Sequence, residues 1–170
     1  LRWPGADHVT TRCWFVRIFA DEEFAKLMQD MDRGYDYALS SVSRRLRADK
    51  ELMLRAVYRV PANLEYADPV LRDDEEVVLA AVAGAGSVLG FASSRVRAIK
   101  TVVLAAVMYD GHALEYTNEH LQADKEVVME AMRDWRSGKL EFVSSQLRAD
   151  KEVVQEAVKH CPYELMFASA

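Results

Sequence analysis

Hydrophobic residues recur along most of the chain in blocks of nearly constant length. Counting the first residue of each block as offset zero, offsets seven, ten and eleven are apolar in all five blocks, which is the spacing of one face of an α-helix. The first residues are 25, 25, 25 and 26 positions apart: Leu46, Leu71, Val96, Leu121 and Leu147. A constant period of this size predicts a stacked repeat array.

Each block also carries signals for where its helices begin and end. An Asp at offset three precedes the apolar run in four blocks and is predicted to cap the first helix, with a Glu two positions later favoured by the helix dipole. A Leu and an aromatic residue farther along indicate a second helix. Between the two helices lies a breaker: Pro61, Gly86, Gly111, Gly138 and Pro162. Each block is therefore predicted to be a helix-turn-helix.

The predicted fold is all-α, an α-solenoid-like array of about five 25-residue repeats that form one structural domain. Residues 1–45 are predicted to be an N-terminal segment and a degenerate cap repeat, in which Leu27 and Met28 keep the helical spacing but Ser41 replaces the aromatic residue. Single units of this size are too small to fold alone, so stacking must stabilise them. The predicted repeat boundaries are 46–70, 71–95, 96–120, 121–146 and 147–170.

The repeat motif is similar to that of a known family. It consists of Leu-Arg-Ala-Asp-Lys-Glu-Val-Val, then Ala-Val, a Gly turn and Ala-Leu-x-Phe/Tyr-Ala-Ser. From residue 38 onward the chain therefore resembles the tandem repeats of domain of unknown function 4116. The resemblance implies a helical repeat module and no established activity. The third copy departs from the motif, with Ile99 in the capping position and Thr101 in place of Glu, which is expected to cost about 1 kcal/mol locally.

Composition and charge narrow the classes of function. The chain is 51% hydrophobic with seven Gly and four Pro, as expected of a folded body. Its formal net charge of −5 argues against a nucleic-acid partner, because phosphate binding requires clustered cations. Cys13 and Cys161 lie far apart in sequence and are predicted to be free thiols, which favours a reducing intracellular compartment or organelle.

One stretch has the length of a membrane span. Residues 77–94 contain no charged residue over 18 positions. Gly84, Gly86 and Gly90 interrupt the stretch at the predicted turn of the second repeat, so two short helices are predicted and no transmembrane segment.

The sequence contains little that indicates chemistry. His112 and His120 are eight residues apart, about 12 Å along a helix, which is too far for one metal ion. Gly84 and Gly86 follow no predicted strand and do not form a phosphate loop. The serine pairs beginning at Ser93 and Ser144 have no accompanying His/Asp pattern. We therefore predict no catalytic residue, cofactor or metal site, and we do not expect a small-molecule ligand.

Two other features concern surfaces. Arginines recur at offset one and form a row along the array, which is predicted to be neutralised by the capping Asp and following Glu of neighbouring units rather than to bind an acidic partner. These residues are Arg47, Arg72, Arg97 and Arg148.

Trp135 occupies an apolar offset and is predicted to lie in the core rather than to anchor a partner.

The second and third repeats lack charges where the other repeats have them. Offset nine is Arg55, Glu130 or Glu156 elsewhere. The centre of a protein interface is depleted in charge, so this region is a predicted partner-binding surface. The alternative is that the N-terminal 45 residues fold back over it. We call the surface the central patch, and its residues are Ala80, Ala83, Gly84, Ala105, Met108 and Tyr109.

The function expected from these observations is that of a non-catalytic helical-repeat interaction module, a structural or accessory subunit of a larger protein assembly, in an organelle or elsewhere in the cell. A second hypothesis is an accessory repeat domain of an enzyme whose catalytic part lies outside this chain. A third is an RNA-binding helical repeat, which the acidic charge balance makes the weakest of the three.

Overall fold

A computed structural model describes residues 22, 25–27, 29, 39, 42–133 and 140–168. Over these residues the secondary structure is entirely helical, with no strand, which confirms the all-α repeat array. Each unit contains a long α-helix followed by a 3-10 helix, and a short helix precedes the long one. The long helices are Lys50–Arg59, Glu75–Val82, Lys100–Tyr109, Lys125–Met132 and Lys151–His160.

The second helix of each unit is a 3-10 helix and not an α-helix. This form suits a segment of at most six residues held between a Pro or Gly and the next helix. The 3-10 helices are Pro61–Tyr66, Gly86–Phe91, Gly111–Tyr116, Leu140–Phe142 and Pro162–Phe167. The breaker Gly138 and Trp135 lie outside the described residues.

The short helices were not predicted, because segments of three or four residues are too short to show a helical period. Each buries the Leu or Val at offset zero and ends one residue later or, in the third unit, two. They are Arg44–Arg47, Pro69–Arg72, Val96–Ala98, Glu119–Gln122 and Ser145–Arg148, of which Val96–Ala98 is a 3-10 helix.

Successive long helices pack side by side, and so do most successive 3-10 helices. The predicted face at offsets seven, ten and eleven is buried in the first four units, and offset six is buried with it. In the fifth unit Val153 and Ala157 remain buried whereas Val154 and Val158 are partly exposed. Offsets six and ten therefore face the preceding unit, and offsets seven and eleven face the next.

The predicted N-caps are confirmed at the long helices. The carboxylate of Asp49 accepts from the backbone N–H of Leu52 at 2.9 Å, and those of Asp74, Asp124 and Asp150 each accept from two backbone N–H groups. Ile99 provides no side-chain cap, as expected.

Backbone hydrogen bonds also link three of the short helices to the loop before the next short helix. The N–H of Asp68 donates to the carbonyl of Arg47 at 3.0 Å, and Ser93 donates in the same way to Arg72 at 2.9 Å. Ser144 donates to Gln122 at 3.1 Å. The loop before each of these short helices is thus tied to the end of the preceding short helix.

Few residues of the N-terminal segment are described. Residues 22, 25–27 and 29 are helical, and Leu27 packs against the core. The predictions made for Met28, Ser41 and Cys13 lie outside the described residues. Cys161 is a free, half-buried thiol. No helix in the described ranges is both long enough and apolar enough to cross a membrane.

Candidate interaction surfaces

Lysines at offset four connect neighbouring units. Lys50 Nζ lies 2.7 Å from Asp74 Oδ2 and 2.8 Å from Glu76 Oε2 of the next unit. We call this arrangement, one lysine bound by the Asp and Glu of the following unit, a lysine fork. It recurs with Lys100 on Asp124 and Glu126 at 2.6 and 2.7 Å, and with Lys125 on Asp150 and Glu152 at 2.9 and 2.7 Å.

Each capping Asp in a fork accepts hydrogen bonds on both of its carboxylate oxygens. Its Oδ1 accepts from the N-terminal backbone of its own helix, and its Oδ2 accepts from the lysine of the preceding unit. The lysine hydrogen bond is the largest cause that lowers the pKa of Asp74, Asp124 and Asp150 below the ordinary carboxyl value. The fork in turn raises the pKa of each lysine. The Asp-Lys-Glu motif therefore joins units in addition to starting helices.

The boundary between the second and third units has no lysine fork. The second unit has Glu75 where the others have Lys, and the third unit lacks both acids. Within the second unit, Arg95 binds Asp73 at 3.0 Å and Glu75 at 3.2 Å, and the Ser93 hydroxyl donates to Asp73. The pKa of Asp73 is lowered, first by Ser93 and then by Arg95.

Sequence reasoning missed the forks, although the sequence held the signal. The one unit without a lysine at offset four directly precedes the one unit without acids at offsets three and five. Such a paired loss indicates that these positions bind each other across the boundary.

The arginine row does not neutralise the capping acids, so this prediction was wrong: lysines neutralise them. Within the described ranges the ion pairs of those acids are with lysines. Arg97 donates to the carbonyl of Tyr116 at 3.2 Å, at the end of a 3-10 helix, and Gln122 at the same offset donates to Leu114 and Thr117 carbonyls. The Nε atoms of all four arginines are buried without a hydrogen-bond partner. These contacts place the side chains of Arg97 and Gln122 against the end of one 3-10 helix, Gly111–Tyr116.

The central patch lies on two long helices that pack directly against each other and on the turn, Ala83 and Gly84, that follows the first of them. Met108 is 69% exposed and Tyr109 49% exposed, and Ala83 and Gly84 are exposed as well. Ala80 and Ala105 are only half-buried, with one side against the core.

The glycine of the patch is required by close packing. A Cβ on Gly84 would lie 2.5 Å from Cγ of Pro61 in the first unit. Tyr58 stands at the same offset as Ala83 and Met108 and is 84% exposed. The patch thus continues into the first unit. The sequence did not indicate this extension, because the charged Arg59 follows Tyr58.

Comparison with known proteins agrees with this geometry. The family model described as Domain of unknown function (DUF4116) matches residues 49–97, 100–139 and 136–170. The chain belongs to this family. Neither a curated protein nor a solved structure matches the chain.

The DUF4116 matches can be related to the units described above. The first begins at the capping residue Asp49 and ends at Arg97, so it contains two long helices and two 3-10 helices. The tandem repeats of this family are thus confirmed from residue 49 onward.

Two other polar groups in this DUF4116 array have structural partners. His112 packs edge-on against Phe142, with ring centroids 6.5 Å apart, and its Nδ1 lies 3.5 Å from Asp110. Glu164 is buried and accepts from the backbone N–H of Leu140 at 2.9 Å, so it ties the fifth unit to the fourth. Across the described residues, no three His, Cys, Asp or Glu side chains are grouped as metal ligands would be.

Proposed function

We propose that the chain is a non-catalytic helical-repeat interaction module that binds a protein partner through the central patch. The observation that supports this is the loss of charge over two adjacent units together with the exposure of Met108 and Tyr109. An exposed apolar side chain has no stabilising role in the array itself, whereas Met and aromatic residues are enriched in the cores of interfaces.

The surroundings of the patch fit the same role. Exposed charges flank it, with Arg55 and Glu51 in the first unit and Arg133 in the fourth. An apolar centre with a charged rim is the ordinary anatomy of a protein interface. Membership of a larger assembly is part of the proposal, since interfaces of this kind join subunits.

The test compares substitutions inside and outside the patch. Ala83→Arg with Met108→Glu introduces one charge of each sign at exposed patch residues, and Val70→Glu introduces a charge at a residue that is 74% exposed on a short helix outside the patch. All variants are expected to keep the thermal midpoint of the original chain, because exposed substitutions change stability by less than about 0.5 kcal/mol.

Affinity purification from the source cells, followed by quantitative mass spectrometry, then measures binding. A specific partner should be recovered with the original chain and with Val70→Glu, and should fall at least about tenfold with the double variant. Equal recovery with the patch variant and the original chain would show that the patch does not bind the partner.

A further inference from the structure

The arginine row has no acidic partner within the array. Three of its four side chains form neither a hydrogen bond nor an ion pair in the part of the chain that the structure describes, and Arg97 donates only to the carbonyl of Tyr116 at 3.2 Å. Asp68, an acid on which the charge of Arg47 acts, is already bound by Arg44 at 3.1 Å. The capping acids are bound by the lysine forks. The row therefore carries positive charge that its neighbours do not neutralise.

Stability alone does not require arginine at this offset. The fourth unit has Gln122 there, and its amide donates to the carbonyls of Leu114 and Thr117 at 3.2 and 3.4 Å. The arginines instead leave Nε buried without a partner, which costs free energy. A neutral amide thus suits the offset better than a guanidinium. In the three arginines that form no hydrogen bond, only Nε is enclosed, so their terminal nitrogens reach the surface.

The spacing of the row follows the spacing of the units, because each arginine stands at the same offset. Successive long helices pack side by side, and packed helices lie about 8 to 10 Å apart. Arg97 and Gln122 donate to adjacent carbonyls at the end of one 3-10 helix, so neighbouring members of the row lie close together. Arg47, Arg72 and Arg97 therefore form three successive cations before Gln122 interrupts the row.

An extended peptide can match this spacing. In a polyproline II helix, with three residues per turn and a rise of about 3.1 Å per residue, every third side chain lies on one edge, about 9 Å from the next. Carboxylates bind guanidinium groups through paired, charge-assisted hydrogen bonds. We propose that Arg47, Arg72 and Arg97 bind an extended acidic segment of a protein partner that has Asp or Glu at every third residue.

A nucleic acid fits the row less well. Duplex DNA carries one phosphate charge per about 1.7 Å of its axis, which is several phosphates for each arginine. Acidic side chains of the array would repel the excess: Glu115 is exposed on the 3-10 helix that Arg97 contacts, and Glu65 is exposed at the same offset in the first unit. A segment with spaced carboxylates avoids this repulsion.

The row is separate from the central patch. Its arginines lie on the short helices, whereas the patch lies on two long helices and a turn. This proposal therefore does not depend on the proposed function, and each can fail without the other.

The probe is a blocked, fluorescently labelled peptide of sequence Glu-Pro-Pro-Glu-Pro-Pro-Glu-Pro-Pro. Its binding to the full chain is measured by fluorescence anisotropy at low ionic strength, at which exposed charge pairs are least screened. The matched control peptide is Glu-Glu-Glu-Pro-Pro-Pro-Pro-Pro-Pro, which has the same composition and charge without the spacing. We expect saturable binding of the spaced peptide and at least about fivefold weaker binding of the control, which cannot reach all the arginines at once.

Glutamine substitutions test the arginines, since Gln122 shows that the offset accepts an amide. Arg72→Gln should weaken binding of the spaced peptide about three- to fivefold, the effect of one exposed ion pair. Arg47→Gln, Arg72→Gln and Arg97→Gln together should weaken it by about twentyfold or more. Lys159→Gln removes the same charge from an exposed side chain of the fifth unit and should change the dissociation constant by less than about twofold.

Any of four results would overturn the proposal. These are absence of binding, equal affinity for the two peptides, a loss with Lys159→Gln as large as that with Arg72→Gln, and tighter binding of a labelled single-stranded RNA with as many phosphates as the peptide has carboxylates. The last would make a nucleic acid the occupant. Thermal unfolding verifies that each variant remains folded, and the comparison of the two peptides on the original chain decides the question even if a variant does not.

Discussion

The first and fifth units have apolar residues at the same stacking offsets but in different surroundings. In the first unit both sides of the long helix are covered, and Leu52, Met53, Ala56 and Val57 have no exposed surface. In the fifth unit only the side toward the fourth unit is covered, through Val153 and Ala157. The offset of a residue therefore sets its direction, and the neighbouring unit sets its burial.

This difference has an energetic consequence. A side chain stabilises the fold in proportion to the apolar surface that it removes from water, about 25 cal/mol per Å². Equivalent residues in one array should thus contribute unequally, with the smallest contribution at the open end.

Removing the neighbouring units on both sides of a fragment should reduce its stability more than any substitution. A fragment of residues 46–95 retains two units and exposes a stacking face at each end. Its long helices have ten and eight residues, shorter than the roughly 12 to 15 that a helix needs for marginal stability in water. We expect circular dichroism to show a largely unfolded fragment and a strongly helical full chain. A cooperative thermal transition in the fragment would show that two units suffice.

The same substitution at equivalent positions should separate the buried interior from the open end. Leu114→Ala removes a fully buried side chain and should cost about 2 to 5 kcal/mol. Leu165→Ala removes one that is mostly exposed and should cost less than about 1 kcal/mol. Urea denaturation measures both free energies of unfolding. Equal losses would mean that Leu165 is covered in solution.

The lysine forks should make the free energy of unfolding depend on pH. The pKa values of Asp74, Asp124 and Asp150 are lowered in the folded chain, so their contribution is fully present above the ordinary carboxyl pKa near 4. It is lost as the pH falls through the lowered values. We expect the free energy of unfolding to decrease below about pH 4.

A triple variant isolates this effect. Replacing Lys50, Lys100 and Lys125 by Met should lower stability at pH 7, and the difference from the original chain should shrink at pH 3. Lys151→Met is the matched control and should change stability at neither pH, because Lys151 has no partner among the described residues. A pH-independent difference would assign the effect of the lysines to packing.

The smallest expected effect concerns the boundary that lacks a fork. Ile99→Asp adds an N-cap of about 1 kcal/mol but removes a half-buried side chain from the core and places its charge near Glu75. We expect the single variant to be no more stable than the original chain. Adding Glu75→Lys should recover about 0.5 to 1 kcal/mol through a new ion pair.

A double-mutant cycle measures that coupling, with Glu75→Lys alone as the control. Additive changes in the free energy of unfolding would indicate that positions 75 and 99 do not interact.

Much of the fold follows from the sequence alone. The 25-residue period, the capping Asp residues and the buried offsets seven, ten and eleven depend on local geometry, which each unit repeats. The residues of the central patch were also recognisable, because a missing charge is visible in an alignment of the units. Whether that patch binds a partner remains a proposal.

Only the tertiary structure decided how the units meet. The lysine forks join residues 24 to 27 positions apart, and which cation binds the acids depends on the stagger of neighbouring helices, which the sequence pattern does not specify. The 3-10 form of the second helix likewise depends on the space between two long helices. Burial in the third and fifth units differs for the same reason: Leu114 and Leu165 occupy one offset, and the following unit buries Leu114, whereas Leu165 is 63% exposed.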